Sequence, residues 1–111
     1  MLNLNTNIIQ ETLGCALMDA RAADKVLVLD ISDLVKSRDK AVLTAMKSLS
    51  AKGKPINLIT MNAELKDEHT EYLIECQNLV SSTVFVDHYI KDIKEASKRR
   101  KIRAAATELY N

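Results

Sequence analysis

The last long segment of the sequence, residues 84–109, carries apolar side chains at helical spacing on two different faces. At about 100° per residue, the first half collects its apolar residues on one face, namely Phe85, Val86, Tyr89, Ile93 and Ala96. The second half places its apolar residues on nearly the opposite face, namely Ile102, Ala105, Ala106 and Leu109. One straight helix on a single core does not need two faces. The segment therefore predicts either a helix whose far end meets something else, or a kink or break near Ser97.

The clearest helix of the chain is predicted over residues 38–52. Its apolar stripe consists of Val42, Ala45, Met46 and Leu49, and Ser37 precedes it as an N-cap. Its end is marked by Gly53, which accepts a left-handed conformation, and by Pro55, which cannot continue a helix. These signals predict a helix with a defined start and stop.

The first half of the chain predicts two further helices and a short irregular segment. Residues 7–18 place one apolar side inward and could be capped by Asn5, Thr6 or Asn7. A second helical stretch follows Asp19, and its inward face consists of Ala22, Ala23, Val26 and Leu27. Residues 30–36 are expected to be irregular or one turn long, with an inward set of Ile31, Leu34 and Val35.

The region after Pro55 predicts an extended segment and two short helices. Residues 55–59 are expected to be extended, and Thr60 to cap a helix with Met61 and Leu65 inward. Thr70 is expected to cap a fifth helix, whose inward residues are Leu73, Ile74, Gln77 and Leu79 or Val80. With two Gly and one Pro in 111 residues, the chain lacks the turns of an all-β fold.

The predicted fold is all-α: a compact bundle of about six short helices with one long C-terminal helix. We assign residues 1–83 to a globular helical subdomain and residues 84–111 to the long helix. The chain has the length of one domain. Its start has no signal-peptide pattern, and no apolar run is long enough to span a membrane.

No catalytic, metal or cofactor-binding residue is predicted in this chain. Gly14 and Gly53 are isolated, so a phosphate-binding loop is not expected. His69 and His88 lack metal-ligand spacing. Cys15 and Cys76 are expected to be reduced core thiols. The net charge of +1 gives no strong overall attraction to nucleic acid or membrane.

One dense basic run lies within the C-terminal segment and comprises Lys94, Lys98, Arg99, Arg100, Lys101 and Arg103. Phosphate contacts could come from Lys98, Arg99, Arg100, Lys101 and Arg103. The alternative is a solvated helix face whose cations suit the C-terminal part of a helix. No aromatic residue interrupts the run to stack on bases.

Three stretches in order resemble the N-terminal domain of DnaB-type replicative DNA helicases. The first, "IIQETLGCALMD", resembles the opening helix of that family. The second, "AVLTAMKSLSAKGKPINLITMNAEL", resembles its helix, Gly-x-Pro segment and following short helix. The third, "EYLIECQNLVSSTVFVDHYIKDIKEASKRRKIRAAATEL", resembles its next helix, Ser-containing joint and Arg-rich continuation. Two departures are Ser32-Asp33-Leu34, where the family often has a Glu-Asp-Phe type of sequence, and a shorter turn at residues 67–70.

The resemblance implies a collar domain on a hexameric helicase ring, acting in the cytoplasm. The long helix would be the first arm of a helical hairpin that pairs subunits into a trimer of dimers, and the collar would dock primase and sometimes a loader. Tyr89 and Ile93 would pack toward the globular part, and a hairpin partner would cover Ile102, Ala105, Ala106 and Leu109. ATP, Mg²⁺ and unwinding would belong to the motor domain of the parent helicase, which would also contact DNA.

Two other functions stay open on the sequence alone. The chain could be a free-standing adaptor or inhibitor that resembles the helicase collar and binds a replicative helicase or primase. It could instead be a small regulator that binds nucleic acid through residues 98–103. A reading frame that continues into a Walker A motif would favour the helicase, and a steep salt dependence of DNA binding would favour the regulator.

Overall fold

The computed structural model describes the backbone of residues 6–110 and the side chains of residues 7–109. Within this part of the chain six α-helices and one short 3₁₀ turn follow each other, and no strand is present. The elements are α1 (Thr6–Met18), α2 (Ala20–Val26), the 3₁₀ turn (Ile31–Asp33), α3 (Ser37–Ala51), α4 (Leu58–Glu64), α5 (Thr70–Leu79) and α6 (Val86–Tyr110). The predicted all-α fold with six helices is confirmed.

The α3 helix has the predicted apolar stripe and the predicted stop. Its predicted stripe residues are all buried, and they are Val42, Ala45, Met46 and Leu49. Gly53 has a φ of 70°, and the Lys54 N–H donates back to the Leu49 carbonyl at 2.9 Å. A glycine in this left-handed position ends the helix and satisfies carbonyls of its last turn. At the other end, Ser37 is the first helical residue rather than the cap.

The cap of α4 differs from the prediction. Thr60 lies in the first turn of the helix, and Asn57 is the N-cap. The Asn57 side chain accepts from the Thr60 N–H at 3.0 Å, and the Thr60 hydroxyl oxygen accepts from the Asn57 N–H at 3.0 Å. This reciprocal pair satisfies two backbone donors at once, which favours Asn57 over Thr60 as the start. Residues 58 and 59 are therefore helical rather than extended.

Helices α1 and α5 approach each other closely in the core. A Cβ on Gly14 would lie 2.2 Å from the Cys76 carbonyl oxygen, so only glycine fits there. The buried face of α5 consists of Tyr72, Leu73 and Cys76. Of the predicted inward residues only Leu73 is fully buried, whereas Ile74 is 41% exposed, so the buried face lies further round the helix than predicted. Both cysteines are buried and free.

The α6 helix is continuous through Ser97, so the alternative of a break there is not observed. Its first half joins the core through Val86, Ile90 and Ile93. The predicted face is shifted here too, because Phe85 precedes the helix and is 58% exposed. From Lys101 to Leu109 every residue is exposed. The helix thus leaves the globular part midway along its length.

The first described helix begins at Thr6, and the alternative cap at Asn5 lies outside the described residues. The 3₁₀ turn lies within the segment that was expected to be irregular or one turn long. There Leu34 is buried, whereas Val35 is 62% exposed. In the described part of the chain, no helix combines the length and the hydropathy needed to cross a membrane.

Candidate functional site: the projecting helix and its attachment

The point where α6 leaves the globular part is occupied by a buried carboxylate. Asp33, the last residue of the 3₁₀ turn, is only 4% exposed. The Ser97 hydroxyl donates to its Oδ1 at 2.7 Å. Two ammonium groups also reach it, with Lys94 at 3.2 Å from Oδ2 and Lys101 at 3.3 Å from Oδ1. One carboxylate therefore binds three side chains of α6.

The 3₁₀ turn itself completes this cluster. The Asp30 N–H donates to Oδ2 of Asp33 at 2.8 Å. Arg100 donates to the main-chain carbonyl of Asp33 at 2.8 Å. Both the side chain and the backbone of the turn are thus held, and α6 supplies donors over about two helical turns. We call this set the Asp33 cluster: Asp30, Asp33, Lys94, Ser97, Arg100 and Lys101.

The electrostatics of the cluster favour an ionised Asp33. Burial alone would raise the pKa of this carboxyl group, because it disfavours the charged form. The donated hydrogen bonds outweigh burial and lower the pKa from 3.8 to about 2, and the donors are Asp30, Ser97, Lys94 and Lys101. A buried charge with several charge-assisted bonds is expensive to leave unpaired. Asp33 is therefore a strong attachment point for α6.

The predicted basic run is divided by this arrangement. Of the five predicted phosphate contacts, Arg100 and Lys101 hydrogen-bond to Asp33. Lys98 and Arg99 are exposed. Arg103 is exposed as well, and it has an interaction of its own. The cations are thus shared between an internal structural role and the solvent-facing side of the helix.

Beyond Lys101, α6 carries the exposed apolar stripe that was predicted from the helical spacing. Ile102 is 59% exposed and Leu109 is 85% exposed, and the two alanines between them are exposed as well. Residues at positions i, i+3, i+4 and i+7 lie along one side of a helix. We call these four residues the distal stripe: Ile102, Ala105, Ala106 and Leu109. The distal stripe is rotated by roughly two-fifths of a turn from the buried face.

A shallow groove connects the Asp33 cluster to the distal stripe. It has a volume of about 470 Å³, and its lining includes Asp33, Lys98, Lys101, Ile102 and Ala105. Its surface is mostly apolar, with lysine side chains along it. The groove thus extends along α6 from Asp33 to Ala105.

The six residues predicted to form an oligomer or partner interface are in three environments. Ile93 is fully buried in the core of this chain, and it has no surface left for another protein. Tyr89 is half-buried, and a hydrogen bond to Glu11 on α1 raises the pKa of its hydroxyl. The remaining four form the exposed distal stripe. Tyr89 and Ile93 thus belong to the attachment of α6, and the distal stripe to its free part.

A second buried polar contact lies away from α6. The Tyr72 hydroxyl donates to Asp39, and Asp39 is 3% exposed. The Arg38 guanidinium lies 3.7 Å from the centre of the Tyr72 ring. Burial, followed by the bond to Asp39, raises the pKa of Tyr72. This contact joins the start of α3 to α5.

Among residues 7–109, no group of three or more side chains that could hold a metal ion is found.

The Asp33 cluster was not predicted from the sequence. Asp33 lies in a short mixed segment, 64 positions before Ser97, so its partners are distant in the sequence. A weak signal was present, because Asp33 lies between two apolar residues, Ile31 and Leu34, that were expected to face inward. A carboxylate in such a segment, in a chain with a dense basic run, points to a pairing between them.

These features define a small all-helical domain that extends one long helix beyond its core. The description of the family model that matches residues 2–95 is "DnaB-like helicase N terminal domain". Since the match covers most of the sequence, the chain belongs to this family, as its resemblance to DnaB-type helicases predicted.

Similar proteins agree with this assignment. The chain is 27% identical over 110 residues to the replicative DNA helicase DnaB of Geobacillus stearothermophilus, covering 90% of this chain and 24% of the helicase. It is 29% identical over 109 residues to the replicative DNA helicase DnaC of Bacillus subtilis (strain 168), covering 88% of this chain and 24% of that protein. The chain thus spans about a quarter of the length of these relatives.

The fold also matches a solved structure described as a DnaB-like replicative helicase and its interactions with primase. The TM-score is 0.85 at 20% sequence identity, and the match covers 96% of this chain and 27% of that chain. At this identity the similarity concerns the fold, and it extends over nearly all of the sequence.

Proposed function

We propose that this chain is the oligomerisation and partner-docking domain of a hexameric replicative DNA helicase, acting in the cytoplasm as part of a primosome. Its partners would be other copies of itself, primase and a helicase loader. ATP hydrolysis, with its Mg²⁺, and unwinding would belong to the motor domain of the parent helicase, through which the protein would contact DNA. In this proposal the chain itself is not an enzyme.

The distal stripe is the observation that carries this proposal. Its four apolar residues lie along one side of α6, in the part of the helix where all described side chains from Lys101 to Leu109 are exposed. Packing such a stripe against another helix is favourable, because it removes apolar surface from water. The solved structure with the same fold supports the kind of partner, since that helicase is described together with its interactions with primase.

The stripe fits a helical partner better than a nucleic acid. Apolar side chains at a spacing of three and four residues pack against the matching side of a second helix. Two of the five cations suggested for phosphate contacts, Arg100 and Lys101, are already bonded to Asp33, whereas the stripe residues have no such internal role. Protein docking, as in a helicase collar, therefore accounts for more of these residues than nucleic-acid binding does.

Sedimentation equilibrium over a range of concentrations tests the proposal. We expect the unsubstituted chain to self-associate. Ile102→Glu and Leu109→Glu should each shift it toward the monomer, because both place a charge in the stripe. Ile59→Glu is a matched control, since Ile59 is 81% exposed on α4, outside the stripe. An unsubstituted chain that stays monomeric, or stripe variants that associate like the control, would contradict the oligomerisation function.

Docking of primase is tested separately by calorimetric titration with the primase of the same replication system. We expect saturable binding by the unsubstituted chain and weaker binding by the two stripe variants. Heat changes no larger than those of dilution would contradict primase docking and leave self-association to be judged by sedimentation.

A further inference from the structure

The core contacts of α6 end well before the helix does. Its buried apolar residues are Val86, Ile90 and Ile93, and all of them lie in its first third. After Ile93 the attachment is polar, through the Asp33 cluster, and from Lys101 to Leu109 the side chains are exposed. The Asp33 cluster thus attaches α6 to the globular part just beyond the point where the buried apolar residues of the helix end.

Apolar and polar contacts constrain a helix differently. Packing of Val86, Ile90 and Ile93 fixes the first third of α6 against the core through the close fit of buried side chains. Hydrogen bonds to a fixed carboxylate depend on distance and angle. Three side chains of α6 meet the two oxygens of Asp33, so a change in the direction of α6 would disturb several bonds at once.

The turn that carries Asp33 is itself fixed. The Asp33 N–H donates to the Asp30 carbonyl at 2.9 Å, while the Asp30 N–H donates to the Asp33 side chain at 2.8 Å. Arg100 holds the carbonyl of the same residue. Leu34, directly after the turn, is buried in the core. The carboxylate therefore has little freedom to follow a moving helix.

We propose that Asp33 is an orientation latch, which sets the direction in which α6 leaves the globular part. The latch determines where the distal stripe lies in space without taking part in any contact that the stripe makes. With the latch open, α6 stays attached through its apolar first third and samples a wider range of directions. This role goes beyond the docking function and holds whichever partner the stripe binds.

Distances between two spin labels on one chain test this inference. Thr44→Cys places a label on α3, and Glu108→Cys places one near the end of α6; both positions are exposed. The native Cys15 and Cys76 are buried, and the chain without added cysteines checks that they stay unlabelled. Dilution with unlabelled protein restricts the measured distances to those within one chain.

We expect one narrow distance distribution in the parent and a broader or displaced one in Asp33→Asn and Ser97→Ala. Ser97→Ala is the milder change, and it remains informative if Asp33→Asn folds poorly. Lys25→Ala is the matched control, because it removes the 2.9 Å ion pair between Lys25 and Asp87 at the start of α6. That control should keep the narrow distribution of the parent.

Two outcomes would overturn the latch. One is an unchanged distance distribution in both Asp33→Asn and Ser97→Ala. The other is equal broadening in Lys25→Ala, because the loss of any contact of α6 would then broaden the distribution. The distance distribution is read within one chain, whereas self-association and primase binding are read by sedimentation and calorimetry. The latch can therefore fail while the docking function stands, and the reverse holds as well.

Discussion

The hydroxyl of Ser97 donates a hydrogen bond of 2.7 Å to the carboxylate of Asp33 across 64 positions of sequence. Both side chains are buried, with Asp33 4% and Ser97 1% exposed. This contact joins a 3₁₀ turn early in the chain to the middle of its last helix. It marks the boundary between the part of α6 that belongs to the core and the part that projects from it.

The Asp33 carboxylate should make folding stability depend on pH in the acid range. Its pKa is about 2 in the folded chain against an ordinary value of 3.8. A lowered folded pKa stabilises the protein above the unfolded pKa, and this contribution of about 2 kcal/mol is lost as the pH falls from about 5 to about 2. Urea unfolding followed by circular dichroism at several pH values measures it.

Asp33→Asn is the control for this acid dependence, because its amide does not titrate. The variant should be less stable at neutral pH and should lose less stability between about pH 5 and about pH 2 than the parent. Parallel stability curves for the two proteins would contradict the assignment of this acid sensitivity to Asp33.

Gly14→Ala should destabilise the fold although alanine is the better helix former. The new Cβ would lie 2.2 Å from the Cys76 carbonyl oxygen and 2.7 Å from a methyl carbon of Val80. Forcing α1 and α5 apart costs about 1–3 kcal/mol, which exceeds the gain of about 1 kcal/mol in helix propensity. Thermal and urea unfolding measure the difference.

Gly53→Asn provides the contrast at the second glycine. Gly53 has a positive φ, but a Cβ added there would meet nothing within 4 Å, and asparagine tolerates this backbone conformation. The expected loss of stability is at most about 1 kcal/mol, since asparagine adopts this conformation more readily than other L residues. If Gly14→Ala were as mild as Gly53→Asn, the close approach of the two helices would be refuted.

Tyr72→Phe should cost about 1–3 kcal/mol, because it leaves the buried carboxylate of Asp39 without the donor on α5. Tyr89→Phe is the matched control, since Tyr89 is only half-buried, and its loss should cost less. In a double-mutant cycle, Asp39→Ala with Tyr72→Phe should cost less than the sum of the single changes. Strict additivity would show that the two side chains do not interact.

Both cysteines should resist thiol reagents in the folded protein. Burial raises the pKa of Cys76 to about 11. Burial also raises the pKa of Cys15, with smaller contributions from Glu11 and Asp19. Because the thiolate is the reactive form, labelling with a chromogenic disulfide at about pH 8 should be slow and should follow unfolding. Denatured protein is the control, and rapid labelling of the native chain would show that the thiols are accessible.

The helices with regular local patterns could be predicted from the sequence. The stripe of α3 and its stop at Gly53 depend on residues close together in the chain, and the structure agrees with them. The start of α4 was assigned to the wrong residue because Asn57 and Thr60 can each cap a helix. Only the reciprocal bonds between them show which one does.

The parts that could not be predicted depend on distant neighbours. Nothing near Asp33 shows that three side chains of α6 will surround it. The tight fit of Gly14 likewise depends on the backbone of Cys76 on another helix. At the start of α6, several apolar residues are close together in the sequence, and their spacing is compatible with either of two adjacent buried faces. In the structure Val86 and Ile90 are buried, whereas Phe85 is exposed.

The free length of α6 gives the turn at Asp33 a mechanical advantage. From Ser97 to the end of the described helix at Tyr110 is about 20 Å, at about 1.5 Å per residue. A change of about 10° in the direction of the helix would then move its end by roughly 3 Å, which is more than half of one helical turn. A change in the bonds between Asp33 and α6 would thus displace Leu109 relative to whatever lies against it.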